Sequence, residues 1–139
     1  MTIDEIQNEI IEEFEFFDQW MDKYEYIIDL GKKLPAMDEQ HKHDQNLVPG
    51  CQSQVWLHAK MENDRIYFLA DSDAIITKGI IALLIRVLSG HSPKQISEAN
   101  LYFIDRIGLK EHLSPTRSNG LVSMVAKIRA TASDFLTKH

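Results

Sequence analysis

Cys51 is the only cysteine of the chain, and Pro49-Gly50 stands directly before it. Proline fixes φ and glycine permits positive φ, so the pair predicts a sharp turn that presents the thiol at the tip of a loop. Val55-Trp56-Leu57 then begins a strand-like run. A thiol at a loop tip, fed into a strand, suits sulfur chemistry with a second molecule, because a reactive thiol needs access. The same residue also fits an inert reading, as a small apolar group packed in a core. A single cysteine excludes an intramolecular disulfide, and with it a cysteine-rich zinc site or an all-cysteine iron–sulfur site on one chain.

Other side chains invite chemistry less directly. His41-Lys42-His43-Asp44 places two histidines two apart beside an aspartate, a spacing zinc accepts, but no third strong ligand lies nearby in the sequence. Asp71-Ser72-Asp73 carries negative charge to the start of an apolar helical stretch, where it suits either capping or contact with a partner. Arg117 is the one cation of a turn-rich stretch, Ser114 to Gly120, and His112 precedes it. No basic residue adjoins Cys51, so activation of its thiol has to come from elsewhere in the chain or from a partner.

Composition narrows the field. The 139 residues are 44% hydrophobic and 26% charged, enough for one domain over 1–139 with its own core. The net charge is −6 and no basic stripe stands out, which argues against nucleic acid. The N-terminus lacks the basic and apolar regions of a signal peptide. The longest apolar region, Ile75 to Leu88, is broken by Thr77, Lys78, Gly79 and Arg86. The expectation is a cytoplasmic protein that engages no membrane.

The elements that must position these residues follow from periodicity. Ile3, Ile6, Ile10, Phe14 and Phe17 predict a helix over 2–17, opened by Thr2 and Glu5 at capping-box spacing and acidic on its outer face. Trp20, Tyr24, Ile27 and Ile28 predict a second helix from about Asp18 to Leu30, capped by Gly31. Residues 32–46 are polar. Val55, Leu57 and Ala59, then Ile66, Phe68 and Ala70, alternate as a β-hairpin across the turn Glu62-Asn63-Asp64. Ile76 through Leu88 reads as the central helix, in which Gly79 admits close approach of the hairpin or the cysteine loop. Ser92-Pro93-Lys94-Gln95 starts another helix, and Leu121 through Leu136 forms the last. Helices and strands segregate, which is the order of an α+β protein.

Several blocks stand in a telling order: Asn46 with Gly50-Cys51-Gln52-Ser53-Gln54-Val55-Trp56-Leu57, Ala70-Asp71-Ser72-Asp73-Ala74, Lys78-Gly79-Ile80-Ile81-Ala82, and His112-Leu113-Ser114-Pro115-Thr116-Arg117-Ser118-Asn119-Gly120-Leu121. Their sequence and spacing resemble the SufE family of sulfur-acceptor proteins over nearly the whole chain. Val48-Pro49 and Ile80 are conservative departures.

The resemblance implies an α+β fold in which a small antiparallel sheet packs against helices, similar to the IscU/NifU scaffolds. It implies a SufS-type cysteine desulfurase as partner and an iron–sulfur scaffold as downstream acceptor. Cys51 would take sulfur as a persulfide, with no cofactor and no metal of the carrier's own, in a monomer or weak homodimer. Gly50, Gln52, Ser53, Asp71, Asp73 and Arg117 would meet the partner. The protein would be an accessory carrier that stimulates the desulfurase. A stand-alone thiol enzyme, a cluster scaffold or a structural domain with an inert Cys51 are the alternatives. A carrier should also shield its sulfur, so Cys51 is expected to tuck against apolar neighbours until docked.

Overall fold

The computed structural model describes residues 1–138. Helix α1 spans Ile3–Glu15 and begins in the capping box of Thr2 and Glu5. Helix α2 spans Trp20–Lys32. Two 3-10 turns, Glu39–His41 and Asp44–Asn46, interrupt the polar stretch that follows. Strands β1 (Val55–Glu62) and β2 (Arg65–Ser72) pair antiparallel, from Val55 opposite Ser72 to Glu62 opposite Arg65. Asn63 and Asp64 join them with φ of 53° and 64°, the left-handed pair that a two-residue hairpin turn demands. Then come α3 (Ile75–Leu88), α4 (Pro93–Glu98), α5 (Phe103–Arg106), α6 (Leu109–His112) and α7 (Pro115–Lys138).

This is an α+β fold, a two-stranded antiparallel sheet packed against helices. Alternation decides the hairpin's faces: Ile66, Phe68 and Ala70 are buried while Tyr67 and Leu69 are exposed. The outer edge of β2 is closed by the α3–α4 connection, where the Ile66 amide donates to the His91 carbonyl at 2.9 Å and the Phe68 amide to Ser89 Oγ at 3.0 Å. Helix α3 is buried almost all round and forms the centre of the core. No helix among the described residues is long and apolar enough to cross a membrane.

Three details differ from the sequence expectations. Gly31 does not cap α2. It lies inside the helix, facing Gly79, where a Cβ would stand 2.7 Å from the Gly79 amide nitrogen. The element that Gly79 admits is accordingly α2, since a Cβ on Gly79 would sit 2.2 Å from the Ile27 carbonyl oxygen. Ser114 to Gly120, which the sequence reads as a loop, opens α7. Pro115 is the first residue of that helix, Ser114 Oγ accepts from the Arg117 amide, and the Ser118 amide donates to the Ser114 carbonyl. Finally, the outer face of α1 is not all solvated. Glu9 and Glu13 turn to Arg86 of α3, whose Nη1 lies 2.9 Å from Glu13 Oε1 and Nη2 2.7 Å from Glu9 Oε1, and the Tyr26 hydroxyl donates to Glu13.

Candidate functional site

The cysteine loop hangs between two fixed stems. Upstream, the Val48 amide donates to the Val55 carbonyl at 2.8 Å, and Leu47 bridges Trp56 beside β1. Gly50 then turns the chain with φ of 81°, a conformation costly to any residue with a Cβ. Space forbids a side chain there as well, because a Cβ would meet Ser123 Oγ of α7 at 2.6 Å. Downstream, the Gln54 amide donates to Asp73 Oδ1 at 3.0 Å, and the Gln54 carbonyl accepts from the Asp73 amide and the Ser72 hydroxyl. Ser53 Oγ donates to Thr77 Oγ1 at 3.3 Å. The Pro-Gly turn seen in the sequence therefore does present Cys51, and it presents it inward, onto α7.

Cys51 is half-buried, with its thiol donating weakly to the Gly120 carbonyl (Sγ to O, 3.7 Å). It lines a cavity of about 260 Å³ together with Thr77 and Ile80 of α3 and Thr116, Arg117 and Met124 of α7. Burial pushes the Cys51 thiol above its ordinary pKa, so in this position it is held as the neutral thiol. Arg117 is exposed at the rim, and among the described residues its guanidinium has no ion-pair partner. No histidine or carboxylate lines this cavity among the described residues.

The remaining sequence candidates fall in distinct places. Gly50 and Gln52 are exposed on the loop, and Ser53 is half-buried and engaged with α3. Asp73 is exposed and anchors Gln54. Neither Asp71 nor Asp73 caps α3, whose N-cap is Ala74 with no side-chain bond, although Ser72 Oγ accepts from the Ala74 amide. Asp71 is only 8% exposed and turns inward to two lysines: Lys42 Nζ at 3.2 Å and Lys78 Nζ at 3.3 Å. Its burial alone would raise its pKa, but the Ser72 amide and the two ammonium groups outweigh that and hold the carboxyl below the usual range. His112 lies away from Cys51, stacked on Trp20 at 4.3 Å, with its Nδ1 hydrogen-bonded to the Gly108 carbonyl. His41 stacks on His58 at 4.0 Å, and among the described residues no three ligating side chains are gathered to hold a metal ion.

Sequence reasoning missed two features of this region. Lys42 stands in a stretch that draws attention only for its histidines, yet it reaches Asp71 and lies 5.5 Å above the Trp56 ring. Ile75, at the start of α3 beside the loop, is 65% exposed, a large apolar side chain left in solvent next to Cys51's neighbours Ala74 and Thr77. The charge of Lys78 in the apolar run, near Asp71 in the sequence, was a signal only that Asp71 would be paired. Nothing in the periodicity signalled the second.

Comparison with known proteins agrees with this architecture. The profile of "SufE: Fe-S metabolism associated domain" matches residues 8–132. An uncharacterised SufE-like protein of Rhizobium meliloti (strain 1021) is 42% identical over 134 residues, covering 93% of this chain and 96% of that protein. One from Rhizobium etli is 43% identical over 130 residues, covering 90% and 88%. The solution structure of a hypothetical protein from Thermus thermophilus superposes with a TM-score of 0.77 at 22% identity, covering 95% of this chain and 96% of the other, and so shares the fold. With a matching profile over most of its length and relatives of this identity, the chain belongs to the SufE family.

Proposed function

We propose that this chain is a persulfide acceptor and carrier, acting as one domain over 1–139, that takes sulfur from a SufS-type cysteine desulfurase and passes it to an iron–sulfur scaffold. The observation that carries the reading is the seat of Cys51: one thiol, at a loop tip, turned into a cavity with Arg117 at its rim. The transfer needs no metal and no second cysteine. The Cys51 thiolate attacks the outer sulfur of the desulfurase persulfide. The bond between the two donor sulfurs breaks, the donor cysteine leaves as thiolate, and Cys51 carries the extra sulfur as its own persulfide. Sulfur moves with no net oxidation.

The resting geometry favours storage over reaction. Burial keeps Cys51 protonated, and the cavity beyond Sγ has room for a further sulfur atom between Thr77, Ile80 and Met124. Docking is the event that brings the thiol out, relieves its desolvation and makes the thiolate available. Arg117 and Gln52 line the cavity from exposed positions, Asp73 and Ile75 are exposed on either side of its lining residue Ala74, and these four are the contact surface of the proposal, with Gly50 and Ser53 shaping the loop. A stand-alone thiol enzyme would want a general base beside its nucleophile, and among the described residues the lining of the cavity offers neither imidazole nor carboxylate. The protein is thus best described as an accessory to the desulfurase.

The test is desulfurase turnover with cysteine and a reductant, with and without this chain. The unmodified protein should raise the rate, and Cys51→Ser should abolish the effect. Arg117→Ala should weaken it while leaving alkylation of Cys51 in the isolated protein unchanged. Equal stimulation by Cys51→Ser would overturn the carrier reading.

A further inference from the structure

Residues 37–48 run beside β1 as a strap and lead straight into the cysteine loop. Apolar side chains fasten its two ends, Met37 and Val48 being buried. Between them the strap is polar apart from Leu47, and besides His41 and Lys42 it is held by the Gln45 carbonyl, which accepts from Lys127 Nζ at 3.1 Å, and by Leu47, which bridges Trp56. His41 stacks on His58 of β1. Lys42 reaches the cross-strand pair of Trp56 and Asp71, with Nζ 3.2 Å from Asp71 Oδ2 and over the ring of Trp56. Asn46 Nδ2 donates to the His41 carbonyl at 2.7 Å, which ties the two ends of this part of the strap to each other.

Asp71 is the junction. Its other oxygen is held by Lys78 of α3, and its Oδ1 also accepts from the Ser72 amide. Ser72 in turn donates its hydroxyl to the Gln54 carbonyl, on the downstream stem of the cysteine loop. One buried carboxylate thereby joins the strap, the central helix and the loop stem. It carries a single negative charge and faces two cations. Lys78 alone can neutralise it, so Lys42 can leave without stranding an unpaired carboxylate in the interior. A tie that can be released at low cost is placed on the segment that leads into the upstream stem of the cysteine loop, and the same carboxylate reaches the downstream stem through Ser72.

We infer that Lys42 is a positioning residue for Cys51: its pairing with Asp71 latches the strap and keeps the cysteine loop turned inward, and release of the pair lets the thiol swing out. The importance of the latch rests on the carrier reading above, but its test does not, because it needs no partner protein.

The experiment measures the alkylation rate of Cys51 by iodoacetamide, read by intact mass, in the full chain and in Lys42→Met, Lys42→Arg and Lys60→Met. Lys60 is an exposed β1 lysine paired with Glu62, and serves as the control for loss of a surface charge. Losing one charge-assisted pair to a carboxylate that Lys78 can still neutralise should speed alkylation about three- to tenfold in Lys42→Met. Lys42→Arg, which keeps the cation, should restore the unmodified rate, and Lys60→Met should match it too. An unchanged rate in Lys42→Met overturns the latch. So does a Lys42→Arg rate as fast as that of Lys42→Met, because then the ion pair is not what holds the loop. If the melting temperature of Lys42→Met falls by more than about 10 °C, an unfolding-scale effect for a domain of this size, Lys42→Gln replaces it with the same expectations. Alkylation that follows this pattern while Cys51 never gains sulfur from a desulfurase would leave the latch standing and remove the carrier reading.

Discussion

Gly50→Ala perturbs the turn that aims Cys51, and its cost can be worked from the structure. The residue sits at φ of 81°, which costs an L-amino acid about 1–2 kcal/mol. Its new Cβ would lie 2.6 Å from Ser123 Oγ, and turning that hydroxyl aside adds about 1 kcal/mol of rotamer strain. The total is about 2–3 kcal/mol. Adding Ser123→Ala removes the obstructing oxygen but not the backbone strain, so the double variant should recover about 1 kcal/mol. The strain has two outlets. If it is borne by the whole fold, urea unfolding followed by tryptophan fluorescence shows the loss directly. If the loop opens locally instead, Cys51 alkylates faster, by roughly 25- to 150-fold at about 1.4 kcal/mol per decade. Both readings are made on the same samples. Stability and alkylation rate both unchanged in Gly50→Ala would refute the geometry given to this turn.

Other consequences follow from the packing and the charges. Gly79→Ala should cost about 2 kcal/mol or more in urea unfolding, because its Cβ would press the Ile27 backbone at 2.2 Å and force α2 and α3 apart, against a gain of only about 1 kcal/mol in helix propensity; an increase in stability would contradict the crossing. Alkylation of native Cys51 should run slower at pH 8 than that of the urea-unfolded chain and should still be climbing above about pH 9, since burial raises its pKa; coincident pH profiles would show an unburied thiol. Arg86, above all, together with the Tyr26 hydroxyl, holds the Glu13 carboxyl below its ordinary value in spite of some burial. A depressed folded pKa stabilises above the unfolded value and is lost as pH falls through the folded one. Glu13→Gln should therefore cost about 1 kcal/mol above about pH 5.5, a cost that shrinks as pH falls below the ordinary glutamate range, and a difference independent of pH would refute the pairing.

How much of this was legible depended on the range over which each feature is decided. Thr2 with Glu5 and Ser92 with Gln95 are local chemistry, and both capping boxes form as their spacing predicts. The hairpin alternation is local too, and Asn63-Asp64 supplies the turn. Gly31 misleads because a glycine that ends a helix and a glycine that lets another helix touch it look alike until the partner, Gly79, is known. Pro115 misleads in the same way, since proline punctuates a loop and also opens a helix. At the site, Pro49-Gly50-Cys51 announces the thiol and its turn, but not that the turn faces α7. The meeting of Cys51 with Arg117, and of Lys42 with Asp71, joins residues far apart in the chain, and only the packing of α3 and α7 against the hairpin brings them together.

The most direct measurement of the central claim is the intact mass of the protein after incubation with a SufS-type desulfurase, pyridoxal phosphate and cysteine, with the added mass mapped to a peptide. The account predicts a gain of one sulfur atom on the peptide that carries Cys51, removable by a reductant and absent from Cys51→Ser. No gain in the unmodified protein, or an equal gain in Cys51→Ser, would contradict it.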